Sequence, residues 1–172
     1  MTRTEQKLRV PLESITKEMV DSKYRYDSIT GAFSVANPHP YMPRRNPGTV
    51  SNRGYLMLNL CGRQCSAHRL AFLIMTGRWP ENHVDHIDGN RLNNAWANLR
   101  DVKRQTNNEN VRKARKDSHT GYLGARKRPN GTFYAAITVN RKGIWLGTFK
   151  TVEEAHHVYL EAKRQYHKGC TI

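Results

Sequence analysis

Twice along this chain the spacing of apolar side chains changes from every second residue to a helical period, and each apolar run is short. Leu56, Leu58 and Leu60 alternate before the turn pair Cys61-Gly62, and residues 63–67 return antiparallel to them. Leu70, Ala71, Leu73 and Ile74 then line one helical face, which Gly77 and Pro80 end. Further on, strand candidates at 122–127, 132–139 and 144–149 are separated by the turn residues Pro129-Asn130-Gly131 and Asn140-Arg141-Lys142-Gly143. Thr151, three residues before Glu154, opens a helix whose Ala155, Val158, Tyr159, Ala162 and Tyr166 share a face up to Gly169. Short strands feeding a helix close small layered units, so the expected class is α+β with antiparallel sheets. With 172 residues, 37% of them apolar, one large barrel or doubly wound sheet is excluded.

The rest of the chain fits around these blocks. A short helix is expected near 14–21, and Tyr24 to Val35 reads as a hairpin turning at Thr30-Gly31. Pro38, Pro40, Pro43 and Pro47 make 37–48 an exposed connection. Residues 82–102 have extended and loop chemistry, 103–116 reads as a polar, basic helix, and 117–121 as a linker. Three cysteines are an odd number, and Cys61 and Cys65 lack the second ligand pair of a zinc site, so they are strand thiols. No run reaches the ~18 to 20 apolar residues of a membrane span, and the first twenty lack a signal-peptide core, so a soluble intracellular chain is expected.

The charge is +15, from 29 basic and 14 acidic residues, and it is spread out: 13 against 8 over 1–99, 7 against 3 over 100–118, and 9 against 3 over 119–172. Such a distribution suits a protein that follows one polyanion, because each neutralised phosphate releases condensed counterions. A ribosomal-type or merely solvated basic protein shows the same excess, so motifs must decide.

The densest chemistry lies in Val84-Asp85-His86-Ile87-Asp88-Gly89-Asn90, followed by Asn93-Asn94, Asn98-Leu99-Arg100 and Asn107. A carboxylate beside an imidazole at a strand end lets one hold a divalent ion while the other takes a proton from water, as phosphodiester hydrolysis requires. Asp85-His86 alone is common by chance, and Asn93-Asn94 alone is ordinary turn chemistry. The ordered set, with His68-Arg69-Leu70-Ala71 before it, resembles the HNH endonucleases of the phage and intron homing type over residues 22 to 112. The resemblance implies a ββα-metal (His-Me finger) fold, with Asp85 as metal ligand, His86 as general base, Asn98 bracing the His loop and His68 in support. It puts Asn107 on the second metal ligand, with Asn108 and Asn110 as neighbouring alternatives. Asn rather than His there favours a hard ion, Mg2+ or Mn2+. Arg100 is assigned either to a phosphate clamp or to pairing near Asp101, which stands where many relatives carry Trp.

Tyr122-Leu123-Gly124-Ala125-Arg126-Lys127-Arg128, Phe133-Tyr134-Ala135-Ala136-Ile137, Trp145-Leu146-Gly147-Thr148-Phe149 and Thr151-Val152-Glu153-Glu154-Ala155 closely resemble the AP2 domain over about 119–168. The implied unit is a DNA-reading three-stranded sheet backed by a helix, with Arg126, Arg128, Tyr134, Arg141 and Trp145 toward DNA. Tyr134 or Trp145 lying in the core under the helix is the competing reading. Thr138 replaces a common base-reading Arg, so the plant target sequence does not carry over. Arg112, Lys113, Arg115 and Lys116 are expected to extend the basic helix along phosphates.

The chain is therefore expected to hold an N-terminal segment (1–22), an HNH nuclease domain (23–116), a linker (117–121) and an AP2-like domain (122–172). The expected activity is metal-dependent cleavage of double-stranded DNA by a phage-encoded, homing-type enzyme in the bacterial cytoplasm, as monomer or homodimer, nicking or cutting both strands. A catalytically silent DNA-binding regulator is the alternative, and a structural RNA-binding protein a remote third.

Overall fold

The computed structural model describes residues 10–39, 41 and 47–172, so residues 1–9, Pro40 and, within the Pro-rich connection, 42–46 lie outside it. The chain forms two compact units that meet at Val102 and Lys103.

In the first unit, Leu12–Ser14 make a 3-10 turn and α1 spans Lys17–Lys23. The helix starts later than position 14 because Thr16 is its cap, its hydroxyl accepting from the Met19 N–H, while Ile15 is buried just before it. β1 (Tyr24–Tyr26) and β2 (Phe33–Val35) form the expected hairpin. β3 (Thr49–Val50), β4 (Leu56–Leu60) and β5 (Arg63–Ser66) form an antiparallel sheet in that order, the two-residue β3 having no pattern visible in the sequence. α2 (Ala67–Thr76) ends at Gly77, whose φ of +73° is the left-handed cap that glycine adopts at least cost. β6 (His83–His86) pairs antiparallel with β7 (Leu99–Val102), setting Asp85 opposite Arg100. Ile15, Val20, Tyr24, Phe33, Leu58, Leu70, Leu73, Val84 and Leu99 belong to one core, so α1 is part of this unit.

In the second unit, α3 (Arg104–Glu109) precedes β8 (Ala125–Lys127), β9 (Phe133–Val139), β10 (Lys142–Phe149) and α4 (Val152–Tyr166). The sheet order is β10-β9-β8, all antiparallel. Both halves of the Thr151/Glu154 capping box are formed. Ala125, Ala135 and Ala155 are buried together, and their small side chains let helix and sheet approach closely.

The expected basic helix over 103–116 is not formed: α3 stops at Glu109. Asparagines are poor helix formers, and here Asn110 and its neighbours are used by the C-terminal end instead. Thr171 Oγ1 donates to Asn110 Oδ1, Gly169 N–H donates to Glu109 Oε2 at 2.9 Å, and Arg112 Nη2 donates to the Thr171 carbonyl at 2.9 Å. Lys163 of α4, only 1% exposed, donates to the Val111 carbonyl, and burial pushes its pKa down.

Candidate active site

β6 carries Asp85 and His86, both buried, into the first unit. Arg100 faces Asp85 across the ribbon, its Nε and Nη2 donating to Asp85 Oδ2 at 3.0 and 2.8 Å. The Asp85↔Arg100 register thus commits Arg100 to Asp85 rather than to Asp101. Asp101 does different work, accepting the backbone N–H groups of Glu81 and Asn82 at 2.9 and 3.0 Å where the chain enters β6.

The loop after His86 is tied by Asn98. Its Nδ2 donates to Asp88 Oδ1 (2.9 Å) and the Asn93 carbonyl (2.8 Å), and its Oδ1 accepts from the Asp88 N–H (2.9 Å). Burial pushes the Asp88 pKa up, but hydrogen bonds from Asn93, the Asn90 N–H and Asn98 outweigh it and leave a net lowering. Asp88 therefore keeps its charge across the neutral range and anchors the turn.

His86 lies among rings. Its centroid is 5.0 Å from that of His68, edge to face, and 6.0 Å from Tyr55, which also stands 5.0 Å from His68. Arg91 stacks over Tyr55 at 4.9 Å and donates to the Arg53 carbonyl at 2.6 Å, joining two loops near the imidazoles. Burial lowers the His86 pKa, against an opposing pull from the Asn94 hydrogen bond and the Asp88 and Asp85 carboxylates. A neutral ring at pH 7 follows, the form that accepts a proton. His68, 8% exposed, is pushed down to about 3 by burial first and then by His86 and Arg69. It packs directly on the His86 ring and is neutral under all ordinary conditions.

Asn94 belongs to the Asn93-Asn94 pair of the motif, but the sequence assigns it no role. Its Oδ1 lies 3.3 Å from His86 Nε2, and it is 1% exposed. A single sequence carries no sign of this, because Asn93-Asn94 reads equally well as turn chemistry. Asn107 lies on α3 in the second unit, so the structure brings together Asp85, His86, Asn98, Arg100 and His68 within the first. Among the described residues no three His, Cys, Asp or Glu converge as a metal cluster.

In the second unit, alternation along β9 sends Ala135 and Ile137 to the buried side and Tyr134 to the other, where Arg126 is its cross-strand partner. Trp145 is 53% exposed and stacks on Tyr134 at 5.3 Å and 20°, which rules out a core position under α4 for Trp145. Arg128 lies over both rings, 5.3 Å from Tyr134 and 5.0 Å from Trp145. Arg141 is in the β9–β10 turn with φ +66°. Beside β8 an open groove of about 700 Å³ is lined by residues 117–120 together with Arg126, Lys127, Arg128 and Tyr134. Lys113, Arg115 and Lys116 lie exposed on the irregular segment after α3, whereas Arg112 is half-buried against Thr171.

The HNH endonuclease family model matches residues 65–109. An uncharacterised HNH endonuclease of Acanthamoeba polyphaga mimivirus is 33% identical over 94 residues, 54% of this chain and 48% of that protein. Two ethylene-responsive transcription factors of Arabidopsis thaliana are 39% identical over 59 residues and 45% over 49, covering 33% and 27% of this chain. The matches span 23% and 15% of those plant proteins, so the chain covers less than half the length of each of these relatives. No solved structure matches. No helix among the described residues is long and apolar enough to cross a membrane. Residues 65–109 thus match the HNH endonuclease family, and the plant factors' matches support an AP2-like segment in the same chain.

Proposed function

We propose that the protein is a site-recognising, divalent-metal-dependent DNA endonuclease of the homing type, with a ββα-metal nuclease over 23–116 and an AP2-like reader over 122–172. The observation that carries this is the pairing of a buried carboxylate and a neutral imidazole on one strand end, Asp85 and His86, above a loop that Asn98 ties at three points. His86 takes a proton from a water aligned with the scissile phosphorus. By likeness to the family Asp85 and Asn107 would hold the ion, and a carboxylate and an amide oxygen are hard donors that suit Mg2+ or Mn2+. When bound, such an ion neutralises charge on the phosphate and on the departing 3′ oxygen. Arg100 orients the Asp85 carboxylate, and His68 backs the His86 ring. The products by likeness to the family are 5′-phosphate and 3′-hydroxyl ends.

The Arg128–Tyr134–Trp145 stack supports the reader assignment. It offers one cation and two flat rings on the open side of a narrow sheet, a form that fits a groove of double-stranded DNA. Arg126 pairs across the strand with Tyr134 of the stack, Arg141 of the β9–β10 turn adds a further cation, and Lys113, Arg115 and Lys116 add phosphate contacts. A monomer with one site nicks, and a homodimer cuts both strands. The Arg100–Asp85 pair favours one second reading, a silent DNA-binding regulator, because a guanidinium competes with an ion for the same oxygen. The test is supercoiled phage genomic DNA with wild type or His86→Ala, in Mg2+ or EDTA, on native and denaturing gels. Metal-dependent cutting lost in the variant supports the nuclease, whereas uncut DNA shifted equally by both proteins supports the regulator.

A further inference from the structure

Asn94 is a buried polar side chain in a segment of turns, and the catalytic reading above gives it no task. Its amide has a fixed orientation: Nδ2 donates to the Leu92 carbonyl at 3.1 Å, so Oδ1 is the atom facing His86 Nε2 at 3.3 Å. An amide oxygen only accepts, so Nε2 carries the ring proton and the lone pair sits on Nδ1. A ring flipped to the other tautomer would aim two lone pairs at each other inside a buried site.

What holds Asn94 is the N-terminal hairpin, which lies outside the family match at 65–109. The Tyr26 hydroxyl donates to the Asn94 carbonyl at 2.7 Å, and the Trp96 N–H donates to the Ser28 carbonyl at 2.9 Å. Burial, with Asp27 nearby, pushes the Tyr26 pKa up to about 12, so its hydroxyl remains a donor. Gly31, at φ +74°, passes so close that a Cβ there would overlap the backbone of Asn94 and Ala95. The β1–β2 turn and the 94–96 segment are therefore fitted to one another at three successive points.

We infer that Asn94 is a positioning residue that fixes the tautomer of His86, and that the β1–β2 hairpin is the clamp that keeps Asn94 in place, resting on the reading of His86 as general base. The hairpin thereby contributes to chemistry through the backbone of residues 94–96.

The test compares Asn94→Leu, similar in size with no acceptor, Asn94→Asp, which keeps one, and Tyr26→Phe. Two readouts are taken: imidazole 15N shifts of His86 in the metal-free full chain, and kcat and KM on supercoiled DNA with Mg2+. Asn94→Leu is expected to lose the Nε2–H signature and to lower kcat by about 10- to 100-fold with KM little changed, as loss of an orienting partner does. Asn94→Asp is expected to restore the signature and most of kcat. Tyr26→Phe is expected to shift both readouts in the same direction by less. A wild-type tautomer and kcat in Asn94→Leu, or no rescue by Asp, overturns the assignment to Asn94. Unchanged readouts in Tyr26→Phe overturn the clamp. The tautomer is read without cleavage, so a wild type that cuts no DNA refutes the nuclease reading while the 15N shifts still decide the role of Asn94.

Discussion

Lowering the pH from 7 to 5 is expected to destabilise the first unit by about 2 kcal/mol through His68 alone. The ring is 8% exposed, lies between Tyr55 and His86 at 5.0 Å from each, and its Nδ1 has no hydrogen-bond partner among the described residues. A proton placed there would be neither hydrated nor paired, so the pKa falls to about 3. In the unfolded chain the same ring titrates near its ordinary value of about 6.5. A histidine whose folded pKa is lowered costs no stability above the unfolded value, and destabilises progressively as pH falls below it, because only the unfolded state gains the proton. Each unit below about 6.5 is worth about 1.4 kcal/mol, which gives the figure of about 2 at pH 5. Burial lowers the His86 pKa too, so His86 adds to the same slope, while Asp27 and Asp88, held below the usual carboxylate range, act only at lower pH. The assay is urea unfolding followed by fluorescence of the half-buried Trp79 and Trp96, at pH 7 and pH 5, for wild type and His68→Leu. The variant should be less sensitive to pH by about 2 kcal/mol. An equal loss in both proteins would show that His68 is protonated in the folded state and that its burial has been misjudged.

Three further outcomes follow from particular contacts. Asp101→Ala removes the acceptor for two backbone N–H groups at the entry to β6 and is expected to cost about 1 to 3 kcal/mol, read by the same urea unfolding; a loss below about 0.5 would mean that water replaces the carboxylate. Gly124→Ala combines φ +78° with a Cβ that would overlap the Tyr159 ring, so the second unit should lose more than about 2 kcal/mol by thermal unfolding, whereas Gly131→Ala, strained in φ but open in space, should lose less. Arg128→Ala should weaken DNA binding and reduce the slope of log affinity against log salt by about 1 if its guanidinium meets a phosphate. An unchanged slope with weaker binding would assign Arg128 to the aromatic stack alone.

What the sequence made legible, and what it hid, divides along a physical line. The β1–β2 hairpin, the β4–β5–α2 succession and the capped α4 are readable because periodicity, turn residues and caps are local properties of a few neighbouring side chains. The extent of the helix after Val102 was misread from local polarity, because what ends it at Glu109 comes from residues sixty positions away, Gly169 and Thr171. Lys163 was hidden for the same reason, since a lysine on an amphipathic helix reads as solvent-facing until the Val111 carbonyl is brought to it.

The same line runs through the candidate site. Asp85 and His86 were visible as neighbours in sequence, whereas the partners that set their state, Arg100, His68 and Asn94, lie fifteen, eighteen and eight residues from the group they act on. One of these was latent in the ribbon: once β6 and β7 pair in register, an Asp opposite an Arg is a strong sign of an ion pair. The others needed the fold, because a loop asparagine and a helix histidine acquire meaning only when a buried imidazole is set between them. On the proposed reading, the chemistry is named by a short motif but tuned by elements outside it, the hairpin at 24–35 among them. A group that must stay neutral, in one tautomer, in a dry site has to be held by atoms that carry no reactive signature of their own.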